Sequence, residues 1–292
     1  MSGAAVRVSV VMPFLNAERF IGEAVESVLA QSYPHWELLL VDDGSTDGSG
    51  EIARGYAARD PDRVRCLSHP GRENRGASAA RNLALREARG DLVAFLDADD
   101  VWLPEKLAEQ VRLLDAHPEV GALYGSTLFW YGWTGAPEDG ARDWLPDLGV
   151  PVGTTLAPPE LLVRCIRGRA AVPCTCSIVL RREVVERVGG FEEGFRRVFT
   201  DQAFYTKVFS VTPVYVADRC WDRYRIHPES SCSTSEREGE LRAARGAYLS
   251  WAAEYLAGRH PADGELLRAV RSALWLHRHP RIAGGLTATR RG

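Results

Sequence analysis

Short apolar runs alternate with stretches of helical periodicity through the first hundred residues of the chain. The run Val8–Met12 is apolar throughout, which is typical of a parallel strand buried on both faces. The next segment repeats apolar residues at the three- and four-residue spacing of a helix: Phe20, Ile21, Ala24, Val25, Val28 and Leu29. Three later runs have the same strand character: Trp36–Val41, Val64–Leu67 and Leu92–Leu96. Strands that alternate with helices predict an α/β fold of βαβ units, with a mostly parallel sheet flanked by helices.

The second half of the chain is less regular. We expect a strand at Gly121–Tyr131, followed by a connection over Gly132–Pro159 that is rich in Gly, Pro and Asp and contains Trp133 and Trp144. Such a long connection is typical of a functional lid or a disordered linker, and its tryptophans would either stack on a sugar or hold the loop against the core. Five more elements are expected: helices at Glu160–Ile166, Arg182–Val188 and Asp201–Phe209, and strands at Cys176–Leu180 and Pro213–Val216.

After about Glu236 the pattern becomes helical, with helices predicted at Glu240–Leu256 and Asp263–His277. The second of them has an apolar stripe (Leu266, Leu267, Val270, Leu274 and Trp275) with arginines between (Arg268, Arg271 and Arg278). We therefore expect a helical extension over residues 236–292 that follows a domain over residues 1–235. The extension would pack on that domain or on a second subunit; the alternative is a basic helix that lies on a membrane surface.

Three carboxylates, Asp97, Asp99 and Asp100, follow the fourth predicted strand. In an open α/β sheet, ligands bind at the carboxyl ends of the strands. Carboxylates crowded there repel one another unless a cation or water separates them, and hard divalent cations take oxygen ligands. The cluster therefore predicts a metal site that could receive a diphosphate. The alternative is a solvated acidic loop that caps the next helix, whose first turn would suit Pro104.

The ends of the first two strands also carry polar groups. Asn16 offers an N-cap for the first helix, and Ser45 or Thr46 offers one for the second. Asp42 and Asp43 precede this second cap, and one interpretation is that they only shape the turn.

Five motifs, in this order, resemble those of family 2 glycosyltransferases with the GT-A fold, over about residues 6–230. They are a first strand that ends in Pro13-x-x-Asn16, then Asp42-Asp43-Gly44-Ser45-x-Asp47, the DXD motif Asp97-x-Asp99, Gly189-Gly190-Phe191 followed by Thr200-Asp201, and Tyr224-Arg225-x-His227-x-x-Ser230. The family often has Glu-Asp where this chain has Thr200-Asp201, so the aspartate is kept and the preceding acid is lost. The resemblance implies a nucleotide-binding half over about residues 6–104 and an acceptor-binding half over about residues 105–235.

This resemblance implies an enzyme that transfers a sugar from a nucleotide-diphosphate sugar to an acceptor hydroxyl or other nucleophile, with inversion and with a divalent cation, Mn²⁺ or Mg²⁺. Asp99 would be the direct metal ligand. His227 would join it, although a surface turn before Pro228 would also explain a histidine here. Asp201 would be the general base that takes the acceptor's proton, and its alternative role is to cap its helix.

The donor-binding residues implied by the resemblance are Pro13, Phe14, Leu15, Asp43, Arg81, Asp97 and Ala98. The first three would wall the base pocket, and Asp97 would contact the ribose or the metal shell. A carboxylate at Asp43 could accept the N3–H of uracil or thymine, which favours a UDP-sugar and then a dTDP-sugar; the N1–H of guanine is similar and leaves GDP open. Arg81 would either reach a phosphate or pair with an acid.

Composition adds a few exclusions. A formal net charge of −3 gives no broad electrostatic reason to expect nucleic acid as a partner. The six cysteines lack the spacing of zinc ligands, and we expect them to be reduced. The sequence shows no signal peptide and no apolar run that approaches about 18 residues, so we expect a cytoplasmic protein, with the inner face of the membrane as the alternative.

Two other functions are alternatives. One is another metal-dependent α/β enzyme acting on phosphates; however, a phosphatase of the haloacid dehalogenase type carries Asp-x-Asp after its first strand, and a nucleotidyltransferase needs an N-terminal Gly-rich loop. The other is a non-catalytic or degenerate module that binds nucleotide sugars, against which the presence of both Asp99 and Asp201 argues.

Overall fold

The computed structural model describes residues 6–262 and 264–280. Within these residues the chain forms nine strands: β1 (Val8–Phe14), β2 (Trp36–Asp42), β3 (Val64–Ser68), β4 (Leu92–Phe95), β5 (Val101–Trp102), β6 (Ala122–Trp130), β7 (Thr154–Leu156), β8 (Val179–Arg181) and β9 (Val214–Arg225). Each predicted strand has a counterpart here. The predicted Cys176–Leu180 begins instead as a 3₁₀ turn at Thr175–Ser177, and the predicted Pro213–Val216 is the start of the much longer β9.

The same described residues contain eleven α-helices: α1 (Ile21–Leu29), α2 (Ser49–Arg59), α3 (Ala77–Glu87), α4 (Lys106–Ala116), α5 (Pro137–Gly140), α6 (Glu160–Ile166), α7 (Arg182–Val188), α8 (Thr200–Phe209), α9 (Ser231–Arg237), α10 (Leu241–Arg259) and α11 (Gly264–Arg278). The start predicted for the last helix, Asp263, lies outside the described residues. In the part of the chain that the structure describes, no helix is both long enough and apolar enough to span a membrane.

All the strands belong to one sheet in the order β3-β2-β1-β4-β8-β6-β9-β5, with β7 paired to β9. The first four strands in this order are parallel, and Val11 of β1 lies beside both Leu39 and Phe95. Beyond β4 the sheet is mixed, because β8 runs antiparallel to both of its neighbours while β6 and β9 are parallel. The α/β fold with flanking helices is confirmed. The parallel part of the sheet consists of β1 to β4, the strands for which the sequence predicted alternation with helices.

Two helix starts differ from the predictions. Asn16 does not cap α1, which begins five residues later at Ile21; its side-chain oxygen instead accepts the backbone N–H of Thr46, and its φ is 49°. Neither Ser45 nor Thr46 caps α2, because Gly48 is the residue before that helix. Asn16 and the segment Ser45–Thr46 bind each other rather than the helices that follow them. Local sequence does not reveal such a contact between two loops.

The hydrophobic core lies on both faces of the sheet. One face is covered by α1, α2 and α4, and the other by α3, α6, α7, α8, α10 and α11. Leu256 of α10 and Leu266 and Val270 of α11 are fully buried in the second layer. The C-terminal helices therefore share a core with the sheet, as the prediction that they pack on the preceding domain required.

The long connection after β6 is held to the rest of the molecule by aromatic side chains. The Trp133 indole N–H donates to the Ile226 carbonyl oxygen at 2.8 Å, and its ring packs edge-on against Phe20. Trp144 stacks on Phe129 of β6 and remains half exposed. Of the two roles considered for these tryptophans, Trp133 has the one that holds the loop against the core.

The two lysines of the chain are both buried. Lys106 on α4 is fully inaccessible and donates to the Asp222 carboxylate on β9 at 3.1 Å. Lys207 on α8 donates to Glu192 at 2.8 Å. A buried charge is tolerated only when it is paired in this way, so each lysine fixes the relative position of two segments of the chain.

Candidate active site

Most of the residues predicted to bind the donor or the metal lie at the carboxyl ends of β1, β2 and β4. Asp43 follows β2, and the segment Asp97–Asp100 comes soon after the fourth strand. The end of the long strand β9 reaches the same edge and brings His227 there. Parallel strands place their carboxyl ends together, which is why residues so far apart in sequence meet here.

Asp99 and His227 are in direct contact. The His227 Nε2 atom lies 3.0 Å from Asp99 Oδ2, and the imidazole packs against the Phe20 ring with centroids 4.7 Å apart. His227 is buried, and its Nδ1 atom has no hydrogen-bond partner among the described residues. The alternative of an exposed surface turn for His227 is therefore wrong.

Arg225 holds this part of the site together, and the sequence did not predict this role. Its backbone N–H donates to Asp100 Oδ1 at 2.9 Å, its Nε to the Asp99 carbonyl oxygen at 2.7 Å, and an Nη to Glu23 at 2.6 Å. The guanidinium is buried among the rings of Phe20, Trp130 and Trp133. The signal is present in the Tyr-Arg-x-His motif, where the resemblance gives a role only to the histidine.

Asp100 lies beneath the site rather than in it. Burial raises the pKa of the Asp100 carboxyl well above its ordinary value, and the neighbouring Asp99 and Asp97 raise it further. Its Oδ2 atom is buried without a partner among the described residues. Asp100 is therefore a buried acceptor for the Arg225 N–H and not a third exposed carboxylate.

Arg81 connects the acidic segment with the start of α8. One Nη donates to Asp97 Oδ1 at 2.5 Å, and the other reaches the Thr200 hydroxyl at 3.3 Å. The guanidinium lies over the Phe191 ring, and the side chain is almost fully buried. Of the two roles considered for Arg81, the structure shows the pairing with an acid.

Asp201 lies in the first turn of α8, close to Arg81. The residue that precedes the helix is Phe199, in the left-handed region at φ 62°, so Asp201 is not the N-cap. Burial raises the pKa of the Asp201 carboxyl, although the backbone N–H of Gln202 and the Arg81 guanidinium oppose the shift. A carboxylate whose pKa is raised is a stronger base than an exposed one with the ordinary value.

Asp43 is buried at the end of β2, and both of its oxygens accept backbone N–H groups. Oδ1 accepts from Arg75 at 2.8 Å and Oδ2 from Gly76 at 2.9 Å. Beside it, burial alone would raise the pKa of Asp42, but hydrogen bonds from Ser45 and the ion pair with Arg72 lower it below its ordinary value. Each Asp43 oxygen keeps a second lone pair, so the contacts leave acceptor capacity.

The remaining predicted donor-binding residues surround these groups. Phe14 and Ala98 are buried, and Pro13 is in β1 beside Val41. Leu15 is 44% exposed at the edge of the site. An exposed leucine beside a strand end has the position expected of a pocket wall.

Asp99 and His227 are the side chains that fit a divalent cation. Among the described residues, no three His, Cys, Asp or Glu side chains are grouped so that they could hold a metal by themselves. Mg²⁺ is often held by one or two protein carboxylates together with substrate phosphates. The Asp99 carboxylate and the His227 imidazole lie side by side, with Oδ2 and Nε2 3.0 Å apart, so an oxygen and a nitrogen donor could bind one cation together. Two protein ligands would leave the remaining coordination positions to water or to the phosphates of a ligand.

Comparison with known proteins assigns this chain to a family. The model of the family described as glycosyl transferase family 2 matches residues 9–189. EpsE of Bacillus subtilis is 43% identical over 111 residues, which cover 38% of this chain and 39% of that protein. The protein of Escherichia coli named UDP-Glc:alpha-D-GlcNAc-diphosphoundecaprenol beta-1,3-glucosyltransferase WfgD is 37% identical over 119 residues, 41% of this chain and 45% of that protein. The matched chain thus spans less than half the length of these two curated relatives.

Solved structures extend the likeness to nearly the whole chain. Staphylococcus aureus TarS 1-349 in complex with UDP-GlcNAc aligns over 93% of this chain and 72% of that one, with a TM-score of 0.69 and 20% identity. The mannosyltransferase PcManGT from Pyrobaculum calidifontis in complex with GDP-Man and Mn²⁺ aligns over 99% and 81%, with a TM-score of 0.59 and 23% identity. At these identities the likeness establishes the GT-A fold.

Proposed function

Because this chain belongs to glycosyl transferase family 2, we propose that it transfers a sugar from a nucleotide-diphosphate sugar to an acceptor nucleophile, with inversion. The observation that carries the proposal is the convergence of several functional side chains at one edge of the sheet. Asp99 and His227 form a contacting pair, while Arg81 joins Asp97 to the helix that begins beside Asp201. Metal binding, donor binding and proton abstraction thus have separate residues within one site.

We favour a UDP-sugar as the donor, with a dTDP-sugar as the second choice. Asp43 keeps an acceptor lone pair for the N3–H of uracil or thymine, beside the strand that carries Pro13 and Phe14. The name of WfgD and the complex of TarS with UDP-GlcNAc support uridine, whereas PcManGT was solved with GDP-Man. GDP is therefore the competitor that the experiment includes.

Asp201 acts as the general base in this proposal. It accepts the proton of the acceptor hydroxyl while that oxygen forms a bond to the anomeric carbon, and the carbon–oxygen bond to the diphosphate breaks with its electron pair leaving on the phosphate. Asp99 and His227 would hold the divalent cation, Mn²⁺ or Mg²⁺, and what a bound cation supplies is neutralisation of the charge on the leaving diphosphate. Arg81 orients Asp97 toward the donor.

The test is a thermal-shift series with UDP, dTDP, GDP and CDP, each with Mn²⁺ and with a chelator. Binding to the folded state at about 100 times the dissociation constant stabilises a protein by about 2.7 kcal/mol. We expect UDP to raise the melting temperature by several degrees with Mn²⁺ and much less in chelator, because the acidic segment repels a diphosphate without a cation. Asp99→Ala should remove the metal-dependent part, while Asp62→Ala, an exposed aspartate away from the site, should keep it.

Equal stabilisation by UDP in chelator and in Mn²⁺ would contradict the metal proposal. Preferential stabilisation by GDP would overturn the choice of base. Binding of UDP without release of UDP from any donor sugar, in the presence or absence of acceptors, would favour the non-catalytic alternative instead.

A further inference from the structure

One face of α11, the last described helix, is exposed to solvent. Leu266, Leu267, Ala269 and Val270 of α11 are buried against α10 and α6. The exposed positions recur every three or four residues and therefore lie on one side of the helix: Arg268, Arg271, Ser272, Trp275 and Arg278. These five residues are called the arginine–tryptophan face below.

The face is strongly cationic. Glu265 is the acidic residue of α11, and it is already engaged with Arg167 at 2.8 Å. Within the described residues no carboxylate forms an ion pair with Arg268, Arg271 or Arg278. The sequence after residue 280 adds three arginines and no acid: Arg281, Arg290 and Arg291. Since the whole chain has a net charge of −3, this concentration of positive charge is local.

Helix α10 adds positive charge near the C-terminal end of α11, at His277, which lies on the opposite side of that helix from Trp275. Arg242 donates from its guanidinium to the His277 carbonyl oxygen at 3.2 Å, so the two helices bring their arginines together. Burial lowers the pKa of His277, and the nearby charges of Arg242, Arg245 and Arg278 lower it further. The arginines of α10 therefore add to the positive charge of this region without belonging to the arginine–tryptophan face.

Trp275 lies in the middle of this charge and is 47% exposed. Its indole stacks on His279, and together with Arg271, Ser272 and Leu276 it lines a shallow depression. A half-exposed indole suits the interface between headgroups and acyl chains, because its ring is apolar and its N–H can stay hydrated. Arginine forks also match phosphate oxygens, which they can bind with two hydrogen bonds.

We propose that the arginine–tryptophan face binds the surface of a membrane that contains anionic phospholipids. The guanidinium groups contact headgroup phosphates, and the Trp275 indole enters the interface between headgroups and acyl chains. A nucleic acid would use the same charges but would leave Trp275 and Leu276 without a role unless bases were unstacked. The argument is independent of the transfer reaction, since no residue of this face belongs to the candidate active site.

The experiment is co-flotation of the full chain with vesicles of phosphatidylcholine alone or of phosphatidylcholine mixed with phosphatidylglycerol. We expect binding to the mixed vesicles only, and weakening as salt rises, because headgroup charge is screened beyond the Debye length. The variant with Arg268→Glu, Arg271→Glu and Arg278→Glu should partition about 100-fold more weakly, given the usual contribution of each basic residue near an anionic surface. Trp275→Ala should weaken binding several-fold.

The matched control reverses three exposed arginines on other helices, Arg54→Glu, Arg86→Glu and Arg112→Glu, with the same change in net charge. It should bind the mixed vesicles as the parent does. Melting temperatures and Mn²⁺-dependent UDP binding of both triple variants identify any loss of folding or of the active site, so that failure of this proposal is distinguishable from failure of the proposed function.

Three results would overturn the proposal. One is equal binding to both kinds of vesicle, and another is equal loss in both triple variants. If light scattering instead shows a dimer that the α11 variant dissociates, with vesicle binding unchanged, the face is a contact between two copies of the chain.

Discussion

Arg81 and Arg225 show how single residues organise the site. Arg81 donates to Asp97, a candidate donor-binding residue, and to Thr200, which precedes the candidate base in sequence. Its guanidinium therefore links the acidic segment to the start of α8. Arg225 fixes the backbone of Asp99 and the carboxylate of Asp100. Such buried, paired cations limit the freedom of the acidic side chains around them, which is what the proposed donor site requires.

Asp201→Asn separates chemistry from binding. The amide keeps the shape of the side chain but cannot accept a proton, so sugar transfer should fall by about 10²–10⁴-fold. UDP affinity in Mn²⁺ should stay within error of the parent. In the parent, kcat/KM should rise with pH through the raised pKa of Asp201, and the variant should lack that acid limb. Gln202→Ala, at the next position of the same helix, is the control and should keep the acid limb. Parent-like turnover in the Asp201→Asn variant would place the base elsewhere.

The same variant carries a prediction about stability. A carboxyl whose pKa is raised in the folded state stabilises the fold below its unfolded pKa, about 3.9, and this contribution is lost as the pH rises through the folded value. Near neutral pH the parent must bury a charged group that the neutral amide does not present, so the Asp201→Asn variant should melt at a higher temperature. The difference should shrink in acid, and a lower melting temperature at neutral pH would contradict the burial argument.

Asp43→Asn tests the donor pocket. One amide oxygen can replace only one of the two acceptors that bind Arg75 and Gly76, and the amide nitrogen then faces an N–H donor. The N3–H of a bound uracil or thymine would then lose its carboxylate acceptor, and leaving such a buried group unpaired costs about 1–3 kcal/mol, so nucleotide binding should weaken by that amount. Calorimetry with UDP and dTDP measures it, with Asp62→Asn as the exposed control. Unchanged affinity would make Asp43 a residue that only shapes the turn.

At the scale of elements, the start of α3 and the segment before α8 form one unit. Gly76 has φ 91°, and a Cβ atom there would lie 2.9 Å from Arg196 Cβ, so the chain passes very close at this point. The Ser78 hydroxyl donates to the Phe195 carbonyl oxygen, and Asn82 exchanges two hydrogen bonds with the backbone of Phe191. These contacts position the segment that leads into Asp201.

Asn82→Ala should therefore affect turnover through α8. Losing both hydrogen bonds to Phe191 should lower the free energy of unfolding by about 1–3 kcal/mol. We expect a lower kcat with UDP affinity retained, since the donor contacts lie on other elements, and denaturant titration together with calorimetry and initial rates measures all three quantities. Arg86→Ala, exposed on the same helix, is the control. Equal losses of UDP affinity and kcat would mean that Asn82 supports the whole site.

Helices and strands could be predicted where the local pattern of apolar residues was sufficient to identify them. β1 and β2 are buried along their whole length, so their sequences are largely apolar. β9 was predicted only at its start, because its later part includes charged residues such as Asp222, whose partner Lys106 is 116 positions away. The acidic cluster could be located because it follows a strand, whereas the function of Arg225 depends on contacts with Glu23 and Phe20 that no local pattern encodes.

At the scale of the molecule, the sheet is continuous from β3 to β5 and one core layer joins its far side to the C-terminal helices. Tyr248 of α10 shares a hydrogen bond of 3.0 Å with Thr206 of α8, the helix of the candidate base. The division of the chain at residues 235 and 236 stays a prediction, but the shared core means that a change in α10 is felt at α8. The helix that carries the proposed membrane face, α11, and the helix of the candidate base, α8, both contact α10.

The two buried lysines make it possible to follow unfolding by chemical labelling of amines. Lys106 and Lys207 are the only lysines in the sequence, and both side chains are buried and ion-paired. An amine-reactive ester should therefore leave both side chains unmodified in the native protein, and acylate them only during opening events. Mass spectrometry of peptides around each lysine would time the exposure of α4 and α8 separately. The arginines on the surface do not react with such an ester under these conditions. Acylation of Lys106 and Lys207 at neutral pH that proceeds as fast as in denaturant would contradict the burial of their ion pairs.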